Sequence, residues 1–368
     1  MDAKFSIVIP YHAIPETVDF VKRQLNYYHV SSIPMFIILA VSGDEVVKFE
    51  LEQFIKKFNN QRFVMFIVNE SNIKSVKSWA KKIFNALTLV KTSYVIINGA
   101  DDIIIPEVAL HGTKILANNL DISAAKGHTI YFNCHSGSIF FSRDLGIYNN
   151  CFFERLKLAI KDRDSIFYII RRTEDLVREY QNIVDLSTKS EIVGNSFYHI
   201  EHFKALSLAA LGKVYILDLP WRIQTSHKNN HTSHTQASFV RVQYGILDKN
   251  NYEWFKSVTK NMSHLSYAYY KFLWVCHQIT GISVTFKQIV YNFIYKKCGL
   301  IDSIHVFMYF MSNKIYVFLQ KILPEQLFKE KPKFYGSAKD FVQSEHYAAL
   351  KKHYFSENDI KLLESQTN

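Results

Sequence analysis

The chain is poor in the residues that mark several large classes of protein. Its 368 residues include only 4 cysteines (Cys134, Cys151, Cys276, Cys298), none in C-x-x-C spacing. That excludes a disulfide scaffold and a zinc knuckle and makes a reducing compartment the default. With 12 Gly and 7 Pro, collagen-like and low-complexity architectures are excluded as well. No stretch of about 18 or more uncharged apolar residues occurs, so no ordinary transmembrane helix is expected. Met1-Asp2-Ala3-Lys4 leads straight into a short apolar run, without the charged-then-apolar pattern of a secretory leader, and no signal peptide is expected.

Hydrophobic residues make up 48% and charged residues 21%, which supports a packed core and excludes wholesale disorder. Lys+Arg 44 against Asp+Glu 33 gives a net charge of +11, an excess suited to an anionic partner such as nucleotide phosphate, nucleic acid or a membrane surface. Within Asn251–Tyr335 there are 11 Lys, no Arg and 4 acids, so this stretch carries most of the excess.

In the N-terminal part, short apolar runs alternate with helical spacing. Phe5 to Pro10, Met35 to Val41, Phe63 to Val68 and Tyr94 to Ile97 are continuous apolar runs. Between them Glu16–Tyr28, Val46–Phe58 and Ser75–Leu89 repeat apolar residues at intervals of three and four. Uninterrupted apolar strands separated by helices predict a parallel sheet covered on both faces. Ligands of such sheets bind at the carboxyl ends of the strands, here Pro10-Tyr11-His12, Val41 to Asp44, Asn69-Glu70 and Asn98 to Asp102. Beyond Thr129 a hairpin is expected, with Thr129–Phe132 and Ser138–Phe141 flanking a polar turn. A helix is expected over Ile200–Ala210, and a strand over Lys213–Leu219 closed by Pro220. The remainder reads as helical, giving a division at 1–235 and 236–368.

Asp101 and Asp102 are adjacent carboxylates at the end of a buried strand, where they repel one another. A divalent cation relieves that repulsion, and oxygen-only ligands suit Mg²⁺ or Mn²⁺. A solvated turn capping the next helix is the alternative on spacing alone.

Three segments carry a resemblance. Phe5 to His12, Tyr94 to Asp102 followed by Pro106, and Gly212 to Pro220 followed by Arg222 and Ser226-His227 resemble, in order, the first strand, the Asp-x-Asp segment and the end of the catalytic domain of a family 2 glycosyltransferase of the GT-A fold, in its bacterial surface-polysaccharide branch. The resemblance covers about the first 235 residues and implies a Rossmann-like, mostly parallel α/β sheet followed by a C-terminal helical region. It implies an inverting, metal-dependent transfer of sugar from a nucleotide-sugar donor, a UDP-sugar first, to a glycan or lipid-linked acceptor. The place implied is the cytoplasm or the inner face of the cell membrane. By position, Asp101, Asp102 and His227 would hold Mn²⁺ or Mg²⁺. Pro10, Tyr11, His12, Asp44, Asn98 and Arg222 would contact the donor, and Glu201 would be the base. Glu174-Asp175 is the other acidic candidate, read rather as first-turn helix charge.

The sequence departs from the family pattern at two places. Gly99 stands where the first acid of the Asp-x-Asp is expected. In the second-strand turn Ala40-Val41-Ser42-Gly43 precede the nearest acids, Asp44 and Glu45. His231 and His234 accompany His227 in a loop where three imidazoles also suit zinc, and Arg222 is alternatively a partner of Asp218. The basic, aromatic-rich helices past residue 236 suit either an anionic membrane interface or packing on the catalytic part. A nucleotidyltransferase is the rival enzyme, although Pro10 to Pro15 has neither the glycine nor the lysine of a triphosphate loop. A non-catalytic basic membrane-surface adaptor is the rival outside enzymology. No recognisable nucleic-acid module is present.

Overall fold

The computed structural model describes residues 3–58, 62–67, 76–134, 139–142, 146–150, 154–155, 158–159, 163–189, 204–205, 207–226 and 341–365. Among them nine strands form one sheet: β1 (Phe5–Ala13), β2 (Met35–Gly43), β3 (Phe63–Ile67), β4 (Tyr94–Ile97), β5 (Ile103–Ile104), β6 (Ile122–Asn133), β7 (Ile139–Ser142), β8 (Ile170–Arg172) and β9 (Lys213–Ser226). The order is β3-β2-β1-β4-β8-β6-β9-β5, with β7 paired to β6. Helices α1 (Val18–Val30), α2 (Glu45–Lys56), α3 (Val76–Leu87) and α4 (Pro106–Asn118) follow strands in turn, α5 (Thr173–Lys189) follows β8, and α6 (Glu345–His353) and α7 (Glu357–Ser365) lie near the end of the chain.

The pairings β3–β2, β2–β1 and β1–β4 are all parallel, as continuous apolar runs require when both faces are covered. Phe5, Ile7 and Ile9 enter one core cluster and Val8 the other, because successive strand side chains point to opposite faces. Past β4 the sheet becomes mixed: β8 is antiparallel to β4 and β6, whereas β6 and β9 are parallel. The expected hairpin is the β6–β7 pair. This is the α/β arrangement that the GT-A resemblance implies.

The last strand is longer than expected. Pro220 does not close it, because β9 continues to Ser226, and Pro220 sits opposite His128 where the β6–β9 register shifts. A proline lacks the N–H that a regular ladder uses, and an irregularity is where that omission costs least. The extension carries Arg222 and Thr225 to the carboxyl end of the sheet.

Helices α6 and α7, which the sequence assigns to the appendage, share the core of the α/β unit. Phe341, Tyr347, Leu350, Tyr354, Phe355 and Leu363 belong to the same buried cluster as β1 and β2. Phe355 meets Phe132 edge-on at 5.3 Å between ring centroids. Most of the 236–368 region lies outside the described residues. Among the described residues no helix is long and apolar enough to cross a membrane.

Candidate functional site

The carboxyl ends of β4 and β9 meet at the turn after β4. Its centre is Gly99. A Cβ built there would lie 3.1 Å from Oδ1 of Asp101 and 3.1 Å from Oδ2 of Asp102. The two carboxylate oxygens therefore converge on one point and lie within about twice that distance of each other. A side chain at 99 would crowd both, so the departure from the family pattern and the placement of the two remaining acids belong together.

Several polar groups of this turn are tied down. The Asp102 carbonyl accepts from Asn98 Nδ2 at 2.9 Å and from Gln24 Nε2. Gln24 Nε2 also donates to the Gly99 carbonyl at 2.7 Å. The Asp101 carbonyl accepts the hydroxyls of Thr225 and of Tyr354, the latter at 2.9 Å. The Tyr28 hydroxyl accepts from Asn98 Nδ2 at 3.2 Å and from the Ile104 N–H at 3.0 Å, fixing the chain as it leaves the turn. Segments from α1, β4, β9 and the C-terminal tail thus set the geometry of two acids.

The two carboxylates differ in environment. Asp101 is half-buried. Asp102 is buried, and that burial, followed by the repulsion of Asp101, pushes its pKa up to about 7. The Arg222 guanidinium, the Thr225 N–H and the Tyr168 hydroxyl oppose the rise. Arg222 is itself buried, with its guanidinium carbon 3.7 Å from the centre of the Tyr168 ring. Among the described residues, two of its nitrogens, Nε and Nη1, have no hydrogen-bond partner. Its charge acts on Asp102, whereas Asp218 pairs with His128 at 3.1 Å.

A divalent cation fits these residues. Two carboxylates converging on Gly99, one of them buried beside the other, offer oxygen ligands whose repulsion a cation would remove. Among the described residues no group of three or more His, Cys, Asp or Glu side chains stands together, which leaves Asp101 and Asp102 as the candidate ligands. His227, the third expected ligand, lies outside the described residues, as do His231, His234 and Glu201.

The remaining expected residues spread along the same edge. His12 pairs in register with Ser42, and Ala13 with Gly43. Gly43 has φ +102°, and a Cβ there would come within 2.6 Å of the Ala13 carbonyl oxygen, so this close turn needs glycine. Tyr11 is buried, and its hydroxyl donates to the Ile14 carbonyl at 3.0 Å and meets the Thr17 hydroxyl at 3.1 Å, which fixes the loop after β1. Pro10 is half-buried within β1. Asp44 caps α2: its Oδ1 accepts from the N–H groups of Val46 and Val47 at 2.8 and 3.0 Å. Glu174 and Asp175 start α5 at the opposite edge, since the Thr173 N–H donates to the Ser93 carbonyl at 2.9 Å, before β4 begins. Asp175 pairs there with Arg178.

Lys82 escaped sequence reading because α3 looked like an ordinary amphipathic helix. It is buried, and its Nζ donates to the Tyr11 carbonyl at 3.0 Å and to Ser42 Oγ at 3.1 Å, bracing the ends of β1 and β2. Burial pushes its pKa down from 10.5 to about 7. A lysine whose pKa falls on folding favours the folded state fully above its unfolded value, and that contribution is lost as pH falls through the folded one. Metal-free protein should therefore gain thermal stability between pH 7 and pH 10 from this group. Lys82→Met should flatten that rise in melting curves taken across the interval.

Gln24 could have been found. It shares the helical spacing of Val21, Leu25 and Tyr28, so it is a polar residue inside an apolar stripe. Tyr168, Thr225 and Tyr354 carry no comparable local signal.

Fold and site together define an α/β protein with a carboxylate pair at the carboxyl end of its central parallel strands. No protein-family model and no curated protein matches the chain. Among solved structures the chain is similar to TarS of S. aureus. The crystal structure of TarS 1-349 aligns at TM-score 0.47 and 11% identity over 79% of this chain and 80% of that one. TarS 1-349 in complex with UDP aligns at 0.48 and 11% over the same shares, and TarS 1-349 in complex with UDP-GlcNAc at 0.44 and 11% over 79% and 70%. At these values the likeness concerns the path of the chain and carries nothing about its chemistry.

Proposed function

We propose that the protein is a glycosyltransferase of the family 2, GT-A type. It would move a sugar from a nucleotide-sugar donor, a UDP-sugar first, to a glycan or lipid-linked acceptor in cell-surface polysaccharide synthesis. The observation that carries the reading is the convergence of Asp101 and Asp102 on Gly99, at the strand end where the resembling family places its diphosphate-binding acids.

In this reading Asp101 and Asp102 hold Mn²⁺ or Mg²⁺, which when bound would neutralise charge on the departing nucleoside diphosphate. The ends of β1 and β2, with Pro10, Tyr11, His12 and Asp44, face the nucleoside. Asn98 fixes the acidic turn, and Arg222 supplies positive charge that acts on Asp102. Transfer with inversion joins the acceptor oxygen to the anomeric carbon as the bond to the diphosphate oxygen breaks. The acceptor proton passes to a base, for which Glu201 is our candidate. The basic region past residue 236 is the part we assign to the acceptor or to an anionic membrane surface.

A thermal-shift series tests the reading, because a selective ligand stabilises the folded state. UDP-sugars should raise the melting temperature in Mn²⁺ more than in chelator, and nucleoside triphosphates should do less. Stabilisation by triphosphates alone, with release of pyrophosphate, would instead identify a nucleotidyltransferase. No response to any nucleotide would remove the enzyme reading.

A further inference from the structure

The tail of the chain returns to the acidic turn. Tyr354, at the end of α6, is buried, and its hydroxyl donates to the Asp101 carbonyl at 2.9 Å. Thr225 donates to the same carbonyl from β9. The Asp101 backbone is thus held by two hydroxyls, one of them from a segment beyond residue 340.

That segment is anchored by charge as well as by packing. Arg23 on α1 donates from Nη1 to Asp359 Oδ2 at 3.0 Å and to the Tyr354 carbonyl at 3.3 Å, and its guanidinium lies over the Tyr354 ring. Asp359 Oδ2 also accepts from the Ser356 N–H at 2.9 Å and from Ser356 Oγ at 2.7 Å, while the Asp359 N–H donates to Ser356 Oγ at 3.2 Å. This reciprocal cap starts α7 and leaves its carboxylate facing Arg23. The segment is thereby tied to the helix that also supplies Gln24 to the turn.

We propose that α6 and α7 are a working part of the acidic site and that Tyr354 is a positioning residue for Asp101. A helix pair that only covered the core would need the aromatic ring of Tyr354 but not its hydroxyl. The hydroxyl reaches past the core to the one carbonyl already held by Thr225, adjacent to both candidate ligands. Groups of this kind set the direction of carboxylates that bind a cation, and their removal typically costs about 10–100-fold in affinity. The cation arm of the test rests on the reading given under Proposed function; the positioning arm does not.

The test is Tyr354→Phe in the full chain, which keeps the ring and removes the oxygen. Two readouts are taken: Mn²⁺ affinity by electron paramagnetic resonance, and amide exchange of the peptide covering residues 98–105. We expect Mn²⁺ binding to weaken by about tenfold and exchange to quicken in that peptide, with the melting temperature nearly unchanged. If Tyr354→Phe does not fold, Asp359→Asn serves, since it loosens the Arg23 anchor and should quicken exchange in the same peptide. Wild-type exchange in 98–105 for the variant overturns the proposal. Faster exchange in a protein that binds no Mn²⁺ even as wild type upholds the positioning role and instead sinks the cation reading.

Discussion

Replacing either Asp101 or Asp102 by Asn is expected to lower sugar transfer by about 10²–10³-fold with the fold intact, the scale seen when a single charge-stabilising group is removed from an active site. The two variants should differ in stability. Asp102 is buried, and folding raises its pKa from 3.8 to about 7. A carboxyl shifted upward favours the folded state below its unfolded pKa, and that advantage is lost as pH rises through the folded value. Without metal, Asp102→Asn should therefore melt above wild type at pH 8 and no higher than wild type at pH 4. An Asn fits the site: its carbonyl oxygen can accept from the Thr225 N–H as Asp102 does at 3.2 Å. Mn²⁺ should reverse the order at pH 8 by stabilising wild type alone. Full transfer activity in both variants would remove the acidic pair from the mechanism, and a stability difference between Asp102→Asn and wild type that stays the same from pH 4 to pH 8 would overturn the buried-carboxyl account.

How much of this was legible beforehand depends on whether a feature is local. The parallel half of the sheet is encoded in runs such as Ile37 to Val41, whose side chains are buried on both faces, and a continuous apolar run has few other uses. Asp101 and Asp102 stand out because two charges end such a run. The groups that hold them do not stand out, because Gln24, Thr225 and Tyr354 reach the turn from α1, β9 and α6 by tertiary contacts, and no spacing rule encodes where a chain returns. Arg222 misleads for another reason. Arginine is seldom fully buried, and the sequence gives no hint that Tyr168 offers it a ring to lie on. Pro220 misleads because a strand that tolerates proline at a register shift looks, in sequence, like a strand that stops there.

The same contrast predicts where the fold is most vulnerable. Glu179 on α5 is buried between two buried cations, Arg171 of β8 at 2.6 Å and Lys204 at 3.2 Å. Burial by itself would raise the carboxyl's pKa, but Arg171 and Lys204 together hold it below the ordinary glutamate value. The Lys204 ammonium also sits over the rings of Phe167 and Tyr180, at 4.9 and 4.7 Å from their centres. Glu179→Ala leaves both cations without a counter-charge in a low-dielectric interior, and removing one member of a buried ionic group costs about 3–5 kcal/mol. Lys204→Met should cost less, because Arg171 and Glu179 still pair and the apolar chain keeps its place against the rings. Chemical denaturation of the two variants should give that order, with Glu179→Ala the larger loss; equal losses would mean that the triad contributes packing rather than charge. Lys204 lies three residues past Glu201, so Glu179 also reaches the segment that carries the candidate base. If it fixes that segment, Lys204→Met should lower kcat for transfer while leaving the KM for donor near wild type, because the acceptor's proton is taken only after the donor is bound.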